Sequence, residues 1–293
     1  MNFLSTLLHR DTAHTPSHVG ITLTDASYHY ADGTVGLAPT SCTFAPGEGN
    51  VAIIGLNGAG KSTLVRLLGA VAIPTGGSIT FDLDGTDCEP VHRAGRRRIE
   101  AAVGFVDLAH VESHFRRASS VEAALLEYLK RHGVSLNERI ARVGALLERF
   151  DLLEVRHVPY EELDGERLHL LAGAVASATS PALLVADEPT RGLDEISSAH
   201  VARRLLSCGT PVIFSTHDVG LITHEPYGIT RTIVMDETHL VFDGEPQRAA
   251  SFYTQLIRSK YQSLTSSARA TAPSTSRTFD ANRSGSASSE SAR

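Results

Sequence analysis

Cysteine is scarce in this 293-residue chain: Cys42, Cys88 and Cys208 are odd in number and follow no spacing pattern. That usage points to a reducing compartment. Long apolar runs are missing as well. Nothing approaches the ~18–20 residues that a membrane helix needs. No excess of positive charge exists either, since 27 Lys and Arg stand against 33 Asp and Glu, a net charge of −6. This balance argues against a nucleic-acid-binding surface as the main activity, and Arg96-Arg97-Arg98 reads as a solvated face. No internal repeat is evident. Phe3 to Leu8 is too short for a signal-peptide core and lacks a preceding basic segment, so residues 1–18 are expected to form a mobile leader. From Ser263 to Arg293 the chain is rich in Ser, Ala, Thr and Arg. Such a tail cannot offset its ordering entropy by burial and is expected to be disordered. The remainder, 19–262, is long enough for one α/β domain with a sizeable core.

What is present is concentrated in Gly55-Leu-Asn-Gly-Ala-Gly-Lys-Ser-Thr63. The pattern G-x-x-x-x-G-K-[ST] builds a phosphate cradle. Gly55, Gly58 and Gly60 lack a Cβ, so Asn57, Gly58, Ala59 and Gly60 can wrap a polyphosphate with their N–H groups inward. A helix then opens, and its positive N-terminus favours an anion. Lys61 can reach the β- and γ-phosphates, the Ser62 hydroxyl can sit on Mg²⁺, and Thr63 completes the motif. Upstream, Asn50 to Gly55 is an apolar run suited to a buried parallel strand. Downstream, Leu64, Leu67, Leu68 and Val71 fall at the spacing of a core-facing helix, ended by Pro74-Thr-Gly-Gly77. The chain is expected to bind a nucleoside triphosphate with Mg²⁺, and the loop alone would suit a kinase, a GTPase, a DNA-repair ATPase or a transporter motor.

A second apolar strand, Ala182 to Ala186, ends in Asp187-Glu188-Pro189-Thr190. Neighbouring side chains at a strand end point to opposite faces, so the two acids take different tasks. Asp187 is placed to hold Mg²⁺ through water and Glu188 to polarise the attacking water. Thr190-Arg-Gly-Leu-Asp194 follows, and a third strand, Pro211 to Thr216, ends in His217, whose imidazole can reach a γ-phosphate.

In this order the motifs resemble the ABC-type ATPases, the nucleotide-binding subunits of transporters, over roughly residues 20–260. The resemblance makes Gly55–Thr63 the Walker A loop, Leu183–Glu188 Walker B, Leu193-Asp194 the D-loop and His217 the switch histidine. It implies a P-loop α/β fold with a mainly parallel sheet, an N-terminal antiparallel β subdomain and a helical insertion at about 109–175. It also makes Tyr30 the aromatic beneath adenine, a contact worth ~1–3 kcal/mol. Tyr28 shares a strand face with Tyr30, so that choice rests on family spacing alone.

Two positions depart from the family pattern. Where a Gln usually ends the strand Val103-Gly-Phe-Val-Asp-Leu108, this chain has Leu108, which offers no metal ligand. Asp107 beside it is sent to the other face by strand alternation. Mg²⁺ would rely on Ser62, Asp187, phosphates and water. In the signature segment Glu162-Leu163-Asp164-Gly165-Glu166-Arg167, an acid replaces the usual serine and a glycine is missing. In the family this segment and Asp194 serve the partner subunit of a dimer, and an acid at 164 would repel a γ-phosphate unless Arg167 or a metal compensates.

Val121–His132 and Ile140–Phe150 read as helices, the second with Ile140, Val143, Leu147 and Phe150 at helical spacing. Thr232–Asp236 and His239–Gly244 read as a hairpin about Glu237-Thr238. The ending Val-Phe-Asp-Gly-x-Pro resembles the ATPases of energy-coupling-factor importers for vitamins and for cobalt or nickel. The expected whole is a peripheral ATPase on the cytoplasmic face of a membrane, a homodimer or heterodimer driving an integral transporter subunit, with no nucleic acid. Rival readings are a soluble ABC-type ATPase acting on DNA or the ribosome, or a weakly hydrolysing regulatory subunit. The coiled-coil heptads or tandem motors that the soluble type needs are not visible.

Overall fold

The computed structural model describes residues 16–270. In chain order the strands and helices are β1 (Val19–His29), β2 (Val35–Phe44), β3 (Asn50–Gly55), α1 (Lys61–Leu68), β4 (Gly76–Leu83), β5 (Thr86–Cys88), α2 (Arg93–Ala102) and β6 (Val103–Val106). Then come α3 (Leu108–Phe115), α4 (Val121–Arg131), α5 (Leu136–Arg149), α6 (Gly165–Ser177), β7 (Leu183–Ala186), α7 (Glu195–Leu206) and β8 (Val212–Thr216). The last are α8 (Val219–Ile222), β9 (Ile229–Asp236), β10 (His239–Gly244) and α9 (Pro246–Ala270). The chain divides into two compact units, one ending at Tyr253 and one starting at Thr254. The described part of the second is the continuation of α9.

The first unit holds two sheets. One has the antiparallel order β2-β1-β4-β5. The other has the order β10-β9-β3-β8-β7-β6, parallel throughout except for the β9–β10 hairpin. The central strands β3, β7 and β8 are buried along their whole length, as parallel strands covered on both faces must be. Asn50 opens β3 with every amide function used. Its Nδ2 donates to the carbonyls of Leu206 and Tyr227 at 2.9 and 2.8 Å, and its Oδ1 accepts from Val212 N–H at 3.0 Å. A buried polar group so satisfied fixes the strand's register without a desolvation penalty.

Helix α1 buries Leu64, Val65, Leu67 and Leu68 between the sheets, each contributing about 1.5–3 kcal/mol relative to exposure. Val71 was expected on that stripe, but α1 stops at Leu68 and Val71 is 43% exposed. The departure comes at Ala70, which stands at φ +53°, so the chain turns away from the helical path after Gly69. A Cβ on Gly69 would lie 2.3 Å from a Phe105 ring carbon. Ile140 likewise leaves its stripe, 59% exposed; the buried residues of α5 are Val143, Leu146 and Leu147, with buried Phe150 as its C-cap.

The insertion expected at about 109–175 is made of α3 to α6, with α6 buried from Leu170 to Ser177. Arg96, Arg97 and Arg98 lie on the exposed face of α2. The end of the expected leader is pinned, since the N–H groups of Ser17 and His18 both donate to the Asp84 carboxylate at 2.9 Å. Residues 1–15 of that leader and 271–293 of the expected tail lie outside the described residues, and α9 runs into the tail segment as far as Ala270.

Candidate functional site

The C-terminal ends of β3, β7 and β8 converge on a cavity of about 750 Å³. Its wall includes Tyr30, the whole loop from Gly55 through Asn57, Gly58, Ala59, Gly60, Lys61, Ser62 and Thr63, together with Glu188 and His217. The cradle needs its glycines. Gly58 and Gly60 sit at φ +81° and +93°, and a Cβ on Gly60 would meet the Gly36 carbonyl at 2.7 Å.

Lys61 is 4% exposed, and its Nζ donates to the carbonyls of Gly55 and Leu56 at 2.8 and 3.2 Å. Among the described residues its countercharge is Glu188, whose Oε1 lies 3.7 Å away. A buried ammonium held mainly by neutral carbonyls suits an anion arriving above it.

Ser62 Oγ donates to Asp187 Oδ1 at 3.1 Å. Ser215 Oγ donates to the same oxygen at 2.6 Å and accepts the Glu188 N–H at 2.9 Å. Hydroxyl and carboxylate oxygens set side by side suit Mg²⁺, a hard cation that takes few protein ligands and keeps waters. The pair Ser62 and Asp187, 3.1 Å apart, offers two oxygens of that kind.

Glu188 stands at φ +46°, in the left-handed region that L residues avoid. His217 is exposed at the cavity rim. The Tyr30 hydroxyl pairs with Thr63 Oγ1 at 2.9 Å, and its ring meets Tyr28 edge-on at 5.1 Å. Tyr30 therefore stays beside the phosphate loop with 41% of its surface exposed.

A neighbouring groove of about 460 Å³ shares Glu188 and Arg191 and adds Asp187, Asp107, Leu108 and His169. Here the alternation argument fails. Strand β6 ends at Val106, Asp107 caps α3 by accepting Ala109 N–H at 2.9 Å, and Leu108 already belongs to the helix. Asp107 and Leu108 consequently line one groove. His169 Nδ1 donates to the Pro189 carbonyl at 2.7 Å, and burial pushes its pKa down.

The signature residues lie apart from the cavity. Asp164 is the N-cap of α6, accepting Arg167 N–H at 2.9 Å and pairing with the Arg167 guanidinium. Arg167 thus stands where the expectation of repulsion at 164 allowed for compensation, in an exposed pair. Glu166 accepts from His200 Nδ1 at 2.6 Å. That bond, with Ser197 adding to it, holds its carboxyl below the usual range. A Cβ on Gly165 would lie 3.5 Å from Leu193 of the D-loop. Asp194 caps α7 through Ser197 N–H and Oγ at 2.9 and 3.2 Å, and the backbone bond lowers its pKa.

Ser215, Arg191 and Tyr253 are among the wall or support residues that escaped the sequence reading. Only Ser215 carried a signal, as a hydroxyl inside an otherwise apolar strand.

Residues 37–191 match the ABC transporter family. The chain is 33% identical over 235 residues to a protein of Deinococcus radiodurans named as an ABC transporter ATP-binding protein, covering 80% of this chain and 97% of that one. It is 31% identical over 206 residues to the biotin transport ATP-binding protein BioM of Rhizobium etli, covering 70% and 86%. Among solved structures, cbiO1 of Clostridium perfringens, part of the ABC transporter complex cbiONQ, superposes with a TM-score of 0.68 at 23% identity, over 84% of this chain and 94% of that one. Fold, phosphate loop and relatives agree: the chain belongs to the ABC transporter family, among its ATP-binding, ATP-hydrolysing proteins.

Proposed function

We propose that this chain is the peripheral ATPase subunit of a membrane importer, working in a pair at the cytoplasmic face and driving an integral partner. The observation that carries this reading is the convergence of Lys61, the Ser62–Asp187 pair, Glu188 and His217 at one sheet edge. Among the described residues no helix is long and apolar enough to cross a membrane, so coupling to a membrane would pass through another protein. For the solute we propose a vitamin or a transition-metal ion. Support comes from the Val-Phe-Asp-Gly-x-Pro ending and from similarity to a biotin transport ATPase.

In this reading the glycine cradle and Lys61 bind the triphosphate. Lys61 leaves its two carbonyl acceptors for the β- and γ-oxygens, gaining charge-assisted bonds in place of neutral ones. Ser62 and Asp187 would hold Mg²⁺, which when bound neutralises charge on the phosphate oxygens. Ser215 keeps Asp187 oriented while fixing the Glu188 backbone. Glu188 accepts the proton of the attacking water, and His217 contacts the γ-phosphate from the rim. Tyr30 offers its face to the base. ATP favours the closed pair only as far as it binds that state better.

The deciding experiment is purification of the tagged chain from detergent-solubilised membranes with Mg²⁺-ATP. An integral membrane protein should co-purify in stoichiometric amount, and vesicles containing the pair should take up biotin, cobalt or nickel only with ATP. Recovery with ribosomes or DNA and no integral protein would overturn the transporter reading.

A further inference from the structure

The turn after Glu188 sets a second cation beside its carboxylate. Glu188 is fixed at φ +46° by two backbone bonds. Its N–H donates to Ser215 Oγ at 2.9 Å, and its carbonyl accepts Arg191 N–H at 3.0 Å. This tight turn carries the Arg191 side chain back over the carboxylate. Arg191 Nε lies 3.7 Å from Glu188 Oε2, while Lys61 Nζ lies 3.7 Å from Oε1. Each carboxylate oxygen thus faces a different cation. The Lys61 side chain is 4% exposed, whereas that of Arg191 is 79% exposed, at the shared rim of the phosphate cavity and its neighbouring groove.

We propose that Arg191 is a positioning residue for hydrolysis, tethering Oε2 so that Oε1 faces the attacking water once Lys61 has moved to the phosphates. The inference rests on Glu188 being the proton acceptor. A triphosphate draws the Lys61 ammonium away because it carries more charge than one carboxylate. Oε1 then loses its cation and Oε2 keeps one. The water oxygen bonds to the γ-phosphorus as the bond from that phosphorus to the bridging oxygen breaks. The bridging oxygen keeps the electron pair and leaves with ADP, and the water's proton passes to Oε1. A carboxylate free to swing meets the water correctly for a smaller share of the time. Because Arg191 is largely exposed, its tether is modest, and it acts on turnover and not on ATP affinity.

The test uses the full chain with Mg²⁺-ATP in single-turnover and steady-state assays. Four variants are compared with the parent: Arg191→Ala, Arg191→Lys, Glu188→Gln, and the double variant Glu188→Gln with Arg191→Ala. Arg191→Ala should lower kcat about 2- to 5-fold with little change in KM. Arg191→Lys should restore most of the parent rate, since it keeps the charge on a flexible stem. In the Glu188→Gln background, Arg191→Ala should cause no further loss, as expected of residues acting as a unit. If Glu188→Gln is slow but Arg191→Ala matches the parent, this proposal fails alone. It also fails if Arg191→Ala chiefly raises KM, or slows the Glu188→Gln chain by the same factor as the parent. A Glu188→Gln chain hydrolysing at the parent rate overturns the proton-acceptor assignment and this proposal together.

Discussion

At the residue scale the roles proposed for the cavity separate holding ATP from cleaving it. Lys61 is buried against two carbonyls and Glu188, so Lys61→Ala removes the cation facing the phosphates and leaves Glu188 with Arg191 as its cation. Charge-assisted bonds contribute about 1.5–3 kcal/mol each, and ATP affinity measured by calorimetry with Mg²⁺ should fall at least about 10-fold. Glu188→Gln should do the reverse, keeping affinity while slowing hydrolysis at least ~10²-fold. Equal behaviour of the two variants in both assays would undo the division of labour. The residues of this division were legible in the sequence because each belongs to a short local pattern: a glycine loop, an acid pair at a strand end, a histidine closing another. Ser215 and Arg191 were not. Ser215 acts through Asp187, met across the sheet at 2.6 Å, and Arg191 through a turn that folds its side chain back to 3.7 Å from Glu188; neither contact follows from residue type alone.

At the element scale, the aspartates of the motif loops fasten helices. Asp107, Asp164 and Asp194 cap α3, α6 and α7. The strands were readable from their apolar runs, but strand alternation was carried one residue too far at Asp107, where capping takes over. Glu166 was read as a lost signature glycine facing a partner subunit, whereas its bond to His200 links the start of α6 to the middle of α7 across 34 positions. That link has a pH signature. The folded-state pKa of Glu166 lies below its ordinary value of 4.5, so its ionised form stabilises the fold above that value. This contribution is lost as pH falls through the lowered folded pKa. Melting temperature followed from about pH 6 to 3 should drop less steeply in Glu166→Gln than in the parent. Two glycines give a paired test of packing. Gly69→Ala drives a methyl into the Phe105 ring at 2.3 Å and should cost about 1–3 kcal/mol. Gly144→Ala meets nothing within 4 Å on the exposed side of α5 and should gain about 0.5–1 kcal/mol. Chemical denaturation of both variants reads the difference.

At the scale of the whole molecule, the family's dimer poses the question of which half of each site is weak. Every group assigned to phosphate and water is intact, while the signature carries Asp164 and Glu166. Two copies would each meet the same altered signature, and a heterodimer could borrow a better one from its partner ATPase. Asp164→Ser tests this cleanly, because serine is also a good N-cap and α6 should survive the change. The isolated parent chain should turn over slowly, and Asp164→Ser should speed it. Robust parent turnover unaltered by the substitution would rule the idea out. A different kind of report can be read without a partner, from the hairpin tip at Glu237-Thr238. The Thr238 carbonyl accepts the Ala38 N–H of β2 at 3.0 Å, and a Cβ on Gly60 would lie 3.3 Å from Thr238 Cα. The tip is thus wedged between the antiparallel sheet and the phosphate loop. Local opening that frees the Ala38 amide requires the tip to lift, and a loop ordered around nucleotide resists that lift. Deuterium uptake at Ala38 should slow when ATP binds the parent chain and stay unchanged in Lys61→Ala, making one backbone amide in the β subdomain a remote gauge of whether the cradle is full.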